Sequence, residues 1–303
     1  MIAAFLLAQF FPTPAPQAPV PVPTPVTIQT ATPPPVSERA MLSNGIDDAQ
    51  ARAKNLGGTL GAVVIDLATG STASVNADEA MPMQSVQKLP IAILVYRAID
   101  AGTLQASNEV TIESQDIVQN VSDVAANYPA RTNYAVSELT TLMIENSDNT
   151  AAKALLRLLG GSDRANADLR ALGYDGILLD PNDNGFAKPA ALGTLLSDLQ
   201  NGKLLLRPSQ TAVFQMLAKS TTFPGRLRAG FPAGTLVAHK TGTSGTSDGV
   251  TAATNDVGIV NVFGRSVIIV AMLSDARGDE PARDAIIAAV GRAAYDATRL
   301  FPI

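Results

Sequence analysis

Pro82-Met83-Gln84-Ser85-Val86-Gln87-Lys88-Leu89 is the stretch on which the sequence turns: strand-like alternation precedes it, and a long helical block follows, to about Ser220. Upstream, Glu38 to Leu56 has the apolar spacing of an amphipathic helix. Gly61 to Leu67 and Thr72 to Asn76 read as strands, joined by a turn at Ala68 to Ser71 that contains Gly70. Downstream, helices are expected over Ser85 to Ala101, Ser137 to Glu145, Asn149 to Leu159, Ser162 to Leu172, Pro189 to Gln200 and Pro208 to Lys219. Cap signals support them, with Ser137 and Ser162 at starts and Pro189 and Pro208 in first turns. Strand patterns return at Leu236 to Lys240, Val250 to Val262 and Ser266 to Leu273, before a terminal helix from Glu280 to Arg299. Strands at both ends can share one antiparallel sheet when short turns join them. The expected fold is therefore an α/β (α+β) sandwich. An antiparallel sheet with flanking terminal helices comes from residues 37–84 and 221–303, and an all-helical lobe, 85–220, is inserted between them. A cleft between the lobes is the natural place for a site.

Composition narrows the chemistry. A net charge of -5 without a basic run offers no footprint for nucleic acid. The chain has no cysteine, so disulfides, thiolate metal sites and a cysteine nucleophile are excluded. It has one histidine, His239, so any serine nucleophile is expected to use another base. No metal and no cofactor are expected. The pairs Asp47-Asp48 and Asp279-Glu280 read as solvated acids, because nothing clusters around them.

The apolar run Ile2 to Phe11, followed by Pro- and Thr-rich sequence to Pro35, resembles a signal-peptide core with a polyproline-like tether. Residues 1–36 are thus expected to be a leader and linker and 37–303 the catalytic domain. Export to the periplasm or cell surface follows, with no stable membrane span once the leader is gone, because about 20 apolar residues are needed to span. A monomer is expected.

Three short motifs sit where elements meet: Ser85-Val86-Gln87-Lys88 at a helix start, Ser147-Asp148-Asn149 between helices, and Lys240-Thr241-Gly242 at the end of a strand. Helical residues three apart share a face, so the Lys88 amine reaches the Ser85 hydroxyl. A lysine with a lowered pKa can take the serine proton, and the helix N-terminus offers an N–H to a developing oxyanion. Each motif alone has a plain structural reading as a capped helix, a turn or a strand end. Their joint occurrence, in this order, is the strong signal. His239 alternates to the face opposite Lys240 and reads as a packed imidazole.

The trio is the signature of the serine β-lactamase and penicillin-binding protein superfamily. Ala238-His239-Lys240-Thr241-Gly242-Thr243-Ser244-Gly245, Thr251 to Gly258, Phe231 to Thr235 and Pro82 to Leu89 resemble the PER-like branch of class A β-lactamases. This resemblance, over about Ser37 to Leu300, implies a β-lactamase/transpeptidase-like fold and hydrolysis of the β-lactam amide through an acyl-serine. It implies Ser85 as nucleophile, Lys88 as its base, Ser147 as proton shuttle and Lys240 as the cation that holds Ser147. It implies an oxyanion hole from the N–H groups of Ser85 and Thr243. Asn149, Thr241, Gly242, Thr243 and Arg226 are implied to bind substrate.

The resemblance breaks at the loop Tyr174 to Lys188, which is short and lacks the glutamate that activates the deacylating water in class A enzymes. Asp180 and Asp183 are the candidate substitutes, and slow deacylation is expected. Lys153 stands where most relatives have an asparagine that braces this loop. Two alternatives share the fold: a penicillin-binding DD-peptidase acting on peptidoglycan stem peptides, and a non-catalytic peptidoglycan-binding module. The partner is a small β-lactam or a stem peptide in each case.

Overall fold

A computed structural model describes residues 37–302, so the leader and linker expected over 1–36 lie outside the described residues. Helix α1 (Glu38–Asn55) starts at Ser37, whose hydroxyl accepts the Ala40 N–H at 3.1 Å, a standard N-cap. Strands β1 (Thr59–Asp66) and β2 (Thr72–Val75) follow, then the two-residue β3 (Met81–Pro82). A 3-10 turn, Gln84–Gln87, leads into α2 (Lys88–Asp100). The expected helix from Ser85 therefore exists, with its first turn wound more tightly.

The helical block contains β4 (Glu109–Thr111), α3 (Asp123–Asn127), β5 (Asn133–Ala135), α4 (Val136–Glu145), α5 (Asn149–Leu158) and α6 (Gly161–Ala171). The short loop carries β6 (Ile177–Leu178) and β7 (Phe186–Ala187), and β7 pairs with both β6 and β3. Helices α7 (Pro189–Gln200) and α8 (Arg207–Lys219) complete the block. Then come β8 (Val237–Thr243), β9 (Thr246–Ser247), β10 (Val250–Thr251), β11 (Thr254–Val262), β12 (Arg265–Ser274) and α9 (Glu280–Leu300).

The main sheet runs in the order β2-β1-β12-β11-β8, and every pairing is antiparallel. Both chain ends build it, as the pattern implies. Strand β12 shows how the core is divided. Ile268, Val270 and Met272 face the helical block, whereas Val267, Ile269, Ala271 and Leu273 face α1 and α9, so period-2 alternation separates two apolar clusters. One departure affects the site: the strand expected to end at Lys240 continues to Thr243. The expected strand Val250 to Val262 breaks at Ala253, whose N–H donates to Ser244 Oγ at 2.9 Å. Among the described residues no helix is long and apolar enough to cross a membrane.

Candidate active site

Strand β8 and the 3-10 turn before α2 meet edge to edge. A Cβ at Gly242 would lie 2.3 Å from the Met83 carbonyl oxygen, so only glycine allows this approach. Asn255, opposite Gly242 on β11, donates to the carbonyls of Pro82 (2.8 Å) and Met83 (3.1 Å) and locks the turn onto the sheet. Between turn, sheet and α5 lies a cleft of about 680 Å³, within the usual range for small-molecule sites.

Ser147 enters this cleft from a left-handed backbone (φ 61), a conformation uncommon outside glycine that recurs at functional sites. Its neighbour Asp148 has a structural role. The Asp148 carboxylate accepts from the Ala151 N–H (2.8 Å), the Val124 N–H (3.0 Å) and Ser122 Oγ (2.8 Å), capping α5 and anchoring α3. Both readings of Ser147-Asp148-Asn149 hold, on different residues.

Lys88 is buried, and its Nζ lies 2.8 Å from Ser85 Oγ, 2.6 Å from the Ser147 carbonyl oxygen and 3.2 Å from Ser147 Oγ, with Asn149 Oδ1 also in contact. Two of these partners, the Ser147 carbonyl and Asn149 Oδ1, can only accept. A neutral lysine amine has two N–H bonds and one lone pair. When the two N–H bonds serve the two obligate acceptors, the lone pair is left facing the hydroxyls. Burial lowers the Lys88 pKa from 10.5 to about 8, against the opposing charges of Asp183 and Asp148, so the neutral form is accessible near neutral pH.

Lys240 is fully buried and donates to Ser147 Oγ (3.1 Å) and to the Thr241 carbonyl (3.1 Å). Its pKa falls to about 7, through burial first and the neighbouring Lys88 charge second. Ser147 Oγ thus bridges two amines and forms a short proton path from Lys88 to the sheet side of the cleft. Thr241, Gly242 and Thr243 line that side. Thr241 Oγ1 is 2.7 Å from Thr222 Oγ1, and Thr243 Oγ1 is buried with no partner.

Of the two candidate loop acids, the fold brings one to the nucleophile. Asp183 Oδ2 accepts from Ser85 Oγ at 3.3 Å. Asp180 stays in the turn, where its Oδ1 accepts the N–H groups of Asn182 (2.8 Å) and Asn184 (3.4 Å). Gln87 makes the difference, and sequence reasoning missed it. Its Nε2 donates to Asp183 Oδ1 (2.7 Å) and to the Asp180 carbonyl (3.0 Å), while its Oε1 accepts the Asp180 N–H (3.0 Å). The available signal was an amide one residue before Lys88, at the entrance to the mostly apolar helix α2. Gly185 admits the contact, since a Cβ there would sit 2.6 Å from Gln87 Oε1. Asn166 pins the far side through Leu179, accepting its N–H at 2.7 Å and donating to its carbonyl at 3.0 Å. Burial raises the Asp183 pKa, against the pull of Lys88, Gln87, Lys240 and Ser85.

Arg226 requires a correction. Sequence comparison implied contact with substrate, but its side chain is 0% exposed and faces away from the cleft's lining. Its Nε donates to Asp284 (2.7 Å), one terminal nitrogen donates to the carbonyls of Gly242 (3.1 Å) and Asn255 (3.0 Å), and the guanidinium stacks on Phe223 at 3.9 Å. It braces β8 from behind. A partner 58 positions later in the chain decided that placement. His239 is packed as expected, with Nδ1 2.8 Å from Asp256 on the face opposite Lys240.

Comparison with known proteins agrees with this geometry. A family model described as "Beta-lactamase enzyme family" matches residues 42–298. Beta-lactamase VEB-1 from Pseudomonas aeruginosa is 30% identical over 81% of this chain and 86% of its own length. Extended-spectrum beta-lactamase PER-1 from the same organism is 31% identical over 73% of this chain and 76% of its own. The crystal structure of a beta-lactamase from Chitinophaga pinensis superposes with a TM-score of 0.80 at 31% identity, covering 84% of this chain and 99% of that one.

Proposed function

The chain belongs to the beta-lactamase enzyme family and is a class A serine hydrolase, and from that premise we propose that it hydrolyses β-lactams through an acyl-Ser85 intermediate cleared by Asp183. The observation that carries the reading is the pair of contacts on one hydroxyl: Lys88 at 2.8 Å and Asp183 at 3.3 Å from Ser85 Oγ.

In acylation, neutral Lys88 takes the Ser85 proton as Oγ attacks the lactam carbonyl. The N–H groups of Ser85 and Thr243 receive the oxyanion. The C–N bond breaks as the proton passes from Lys88 through Ser147 Oγ to the lactam nitrogen. Lys240 holds Ser147 in line and, when protonated, attracts the substrate carboxylate beside Thr241 and Thr243. Asn149 receives the side-chain amide, its Oδ1 exchanging Lys88 for the substrate N–H.

In deacylation, the Asp183 carboxylate takes a proton from a water that attacks the ester carbon and hands it to Ser85 Oγ as the ester C–O bond breaks, so Asp183 ends ionised and Lys88 neutral, as each began. Asp183 touches Ser85 Oγ directly, so the loop must yield by about the width of a water before that step. Deacylation is therefore the slower half. A DD-peptidase would share the acylation machinery and lack efficient clearance, and a buried, oriented carboxylate favours the hydrolase. The leader-like segment supports export.

A fluorescent penicillin tests the nucleophile. It is expected to label the wild-type chain covalently and Ser85→Ala not at all. Label retained by Ser85→Ala rejects the assignment.

A further inference from the structure

Helix α5 turns one face toward the cleft: Asn149, Ala152, Lys153 and Leu156, spaced at i, i+3, i+4 and i+7. Ile91 and Val118 line the same cleft and, with Ala152 and Leu156, supply apolar surface beside the polar groups of the short loop. Lys153 is the cation of that α5 face. Its position four residues after Asn149 puts its backbone about 6 Å further along the helix axis, at 1.5 Å per residue.

The other charged groups nearby are already engaged. The Lys88 ammonium is enclosed by Ser85, Ser147 and Asn149. Asp183 is held by Gln87 and Ser85, and Asp180 Oδ1 by its own turn. Arg157, the next cation on α5, pairs with Asp116 (2.8 Å) and Glu113 (2.9 Å). Lys153 has no ion pair or hydrogen-bonding partner among the described residues, yet it lines the cleft and is only half-exposed. An unpaired ammonium over an apolar floor is complementary to a ligand that brings an anion next to a hydrophobic group.

We propose that Lys153 selects β-lactams whose acylamino side chain carries a second carboxylate. With the amide at Asn149, the side chain runs along α5. A carboxylate on its first carbon then comes within reach of the Lys153 ammonium, while an aryl group meets Ala152, Leu156, Ile91 and Val118. Such a substrate is a dianion with one carboxylate at Lys240 and Thr243 and the other at Lys153. The inference rests on the hydrolase reading above and adds to it the substrate class.

Benzylpenicillin and α-carboxybenzylpenicillin differ only in this carboxylate, so the ratio of their kcat/KM values isolates its effect. In Lys153→Met the ratio is expected to move five- to tenfold against the carboxylated substrate, the size of a partly screened ion pair. Lys153→Arg is expected to keep the wild-type ratio, and added salt to erode it. An unmoved ratio in Lys153→Met, or equal losses on both substrates, overturns the inference while leaving the hydrolase reading intact. Failure of wild type to be acylated by benzylpenicillin overturns both.

Discussion

Asp183→Asn separates the two halves of the catalytic cycle. The substitution is nearly silent in the backbone, because Asp183 sits at φ 64 and asparagine tolerates the left-handed region well. Gln87 Nε2 is a donor, so the new amide must keep its oxygen toward Gln87 and turn its NH2 toward Ser85. The loop stays in place and the base is lost. A positioned general base contributes about 10²- to 10⁴-fold, so deacylation is expected to slow by that factor. Acylation behaves differently. With a pKa of about 8, roughly one Lys88 in ten is neutral at pH 7, and the Asp183 charge helps keep it protonated. Removing that charge raises the neutral fraction, by at most about tenfold. Acylation is therefore expected to be unchanged or modestly faster. Stopped-flow hydrolysis of a chromogenic cephalosporin should show a burst approaching one equivalent, then a nearly flat steady state, with intact mass spectrometry finding the acyl-enzyme. Asp180→Asn should behave like wild type, since an amide oxygen still accepts both turn N–H groups. The reasoning is refuted if deacylation in Asp183→Asn falls less than about tenfold. It is refuted equally if acylation falls in parallel, which would make Asp183 the base for Ser85 itself.

Gln87→Leu removes the hold on Asp183 without touching either reacting group. Deacylation is expected to fall about 10- to 100-fold with acylation within a few fold, and Gln87→Glu, which keeps one acceptor, should not restore it; equal loss in both steps would mean that Gln87 supports the nucleophile turn instead. Lys88→Met should reduce acylation about 10²- to 10⁴-fold, read from single-turnover rates, and an unchanged rate would assign the proton to another group. The same variant has a stability signature. Burial lowers the Lys88 pKa from 10.5 to about 8, so below pH 8 the folded state carries a disfavoured charge. Between pH 8 and 10.5 only the unfolded chain binds that proton, and wild-type stability rises by up to about 3 kcal/mol from this group. Lys88→Met lacks that rise, so its advantage in urea unfolding at pH 7 should shrink by pH 10; parallel pH curves for the two proteins would contradict the burial cost.

Regular elements and the acylation machinery were legible in the sequence because local rules govern them. Pro189 and Pro208 sit in the first turns of their helices, β12 alternates with period 2, and the serine–lysine spacing acts within one turn, whereas the cap signals read at Ser137 and Ser162 fall inside α4 and α6, whose N-cap residues are Ala135 and Gly160. The loop resisted the same reading. Asp180 and Asp183 are three residues apart in a segment without periodicity, and what separates them is an amide 96 positions away from Asp183. Arg226 was misplaced for the same reason, its ion pair with Asp284 being invisible to any local pattern. The break at Ala253 depends on Ser244, across a turn that neither strand propensity nor alternation describes.

The central claim, hydrolysis through a transient ester on Ser85, is tested most directly by intact mass spectrometry of the full chain mixed with one equivalent of benzylpenicillin and quenched over time. A single adduct with the mass of the penicillin should appear early, map to the peptide containing Ser85, and decay as free penicilloate is released. Absence of the adduct, its location on another residue, or its persistence for hours would contradict the account.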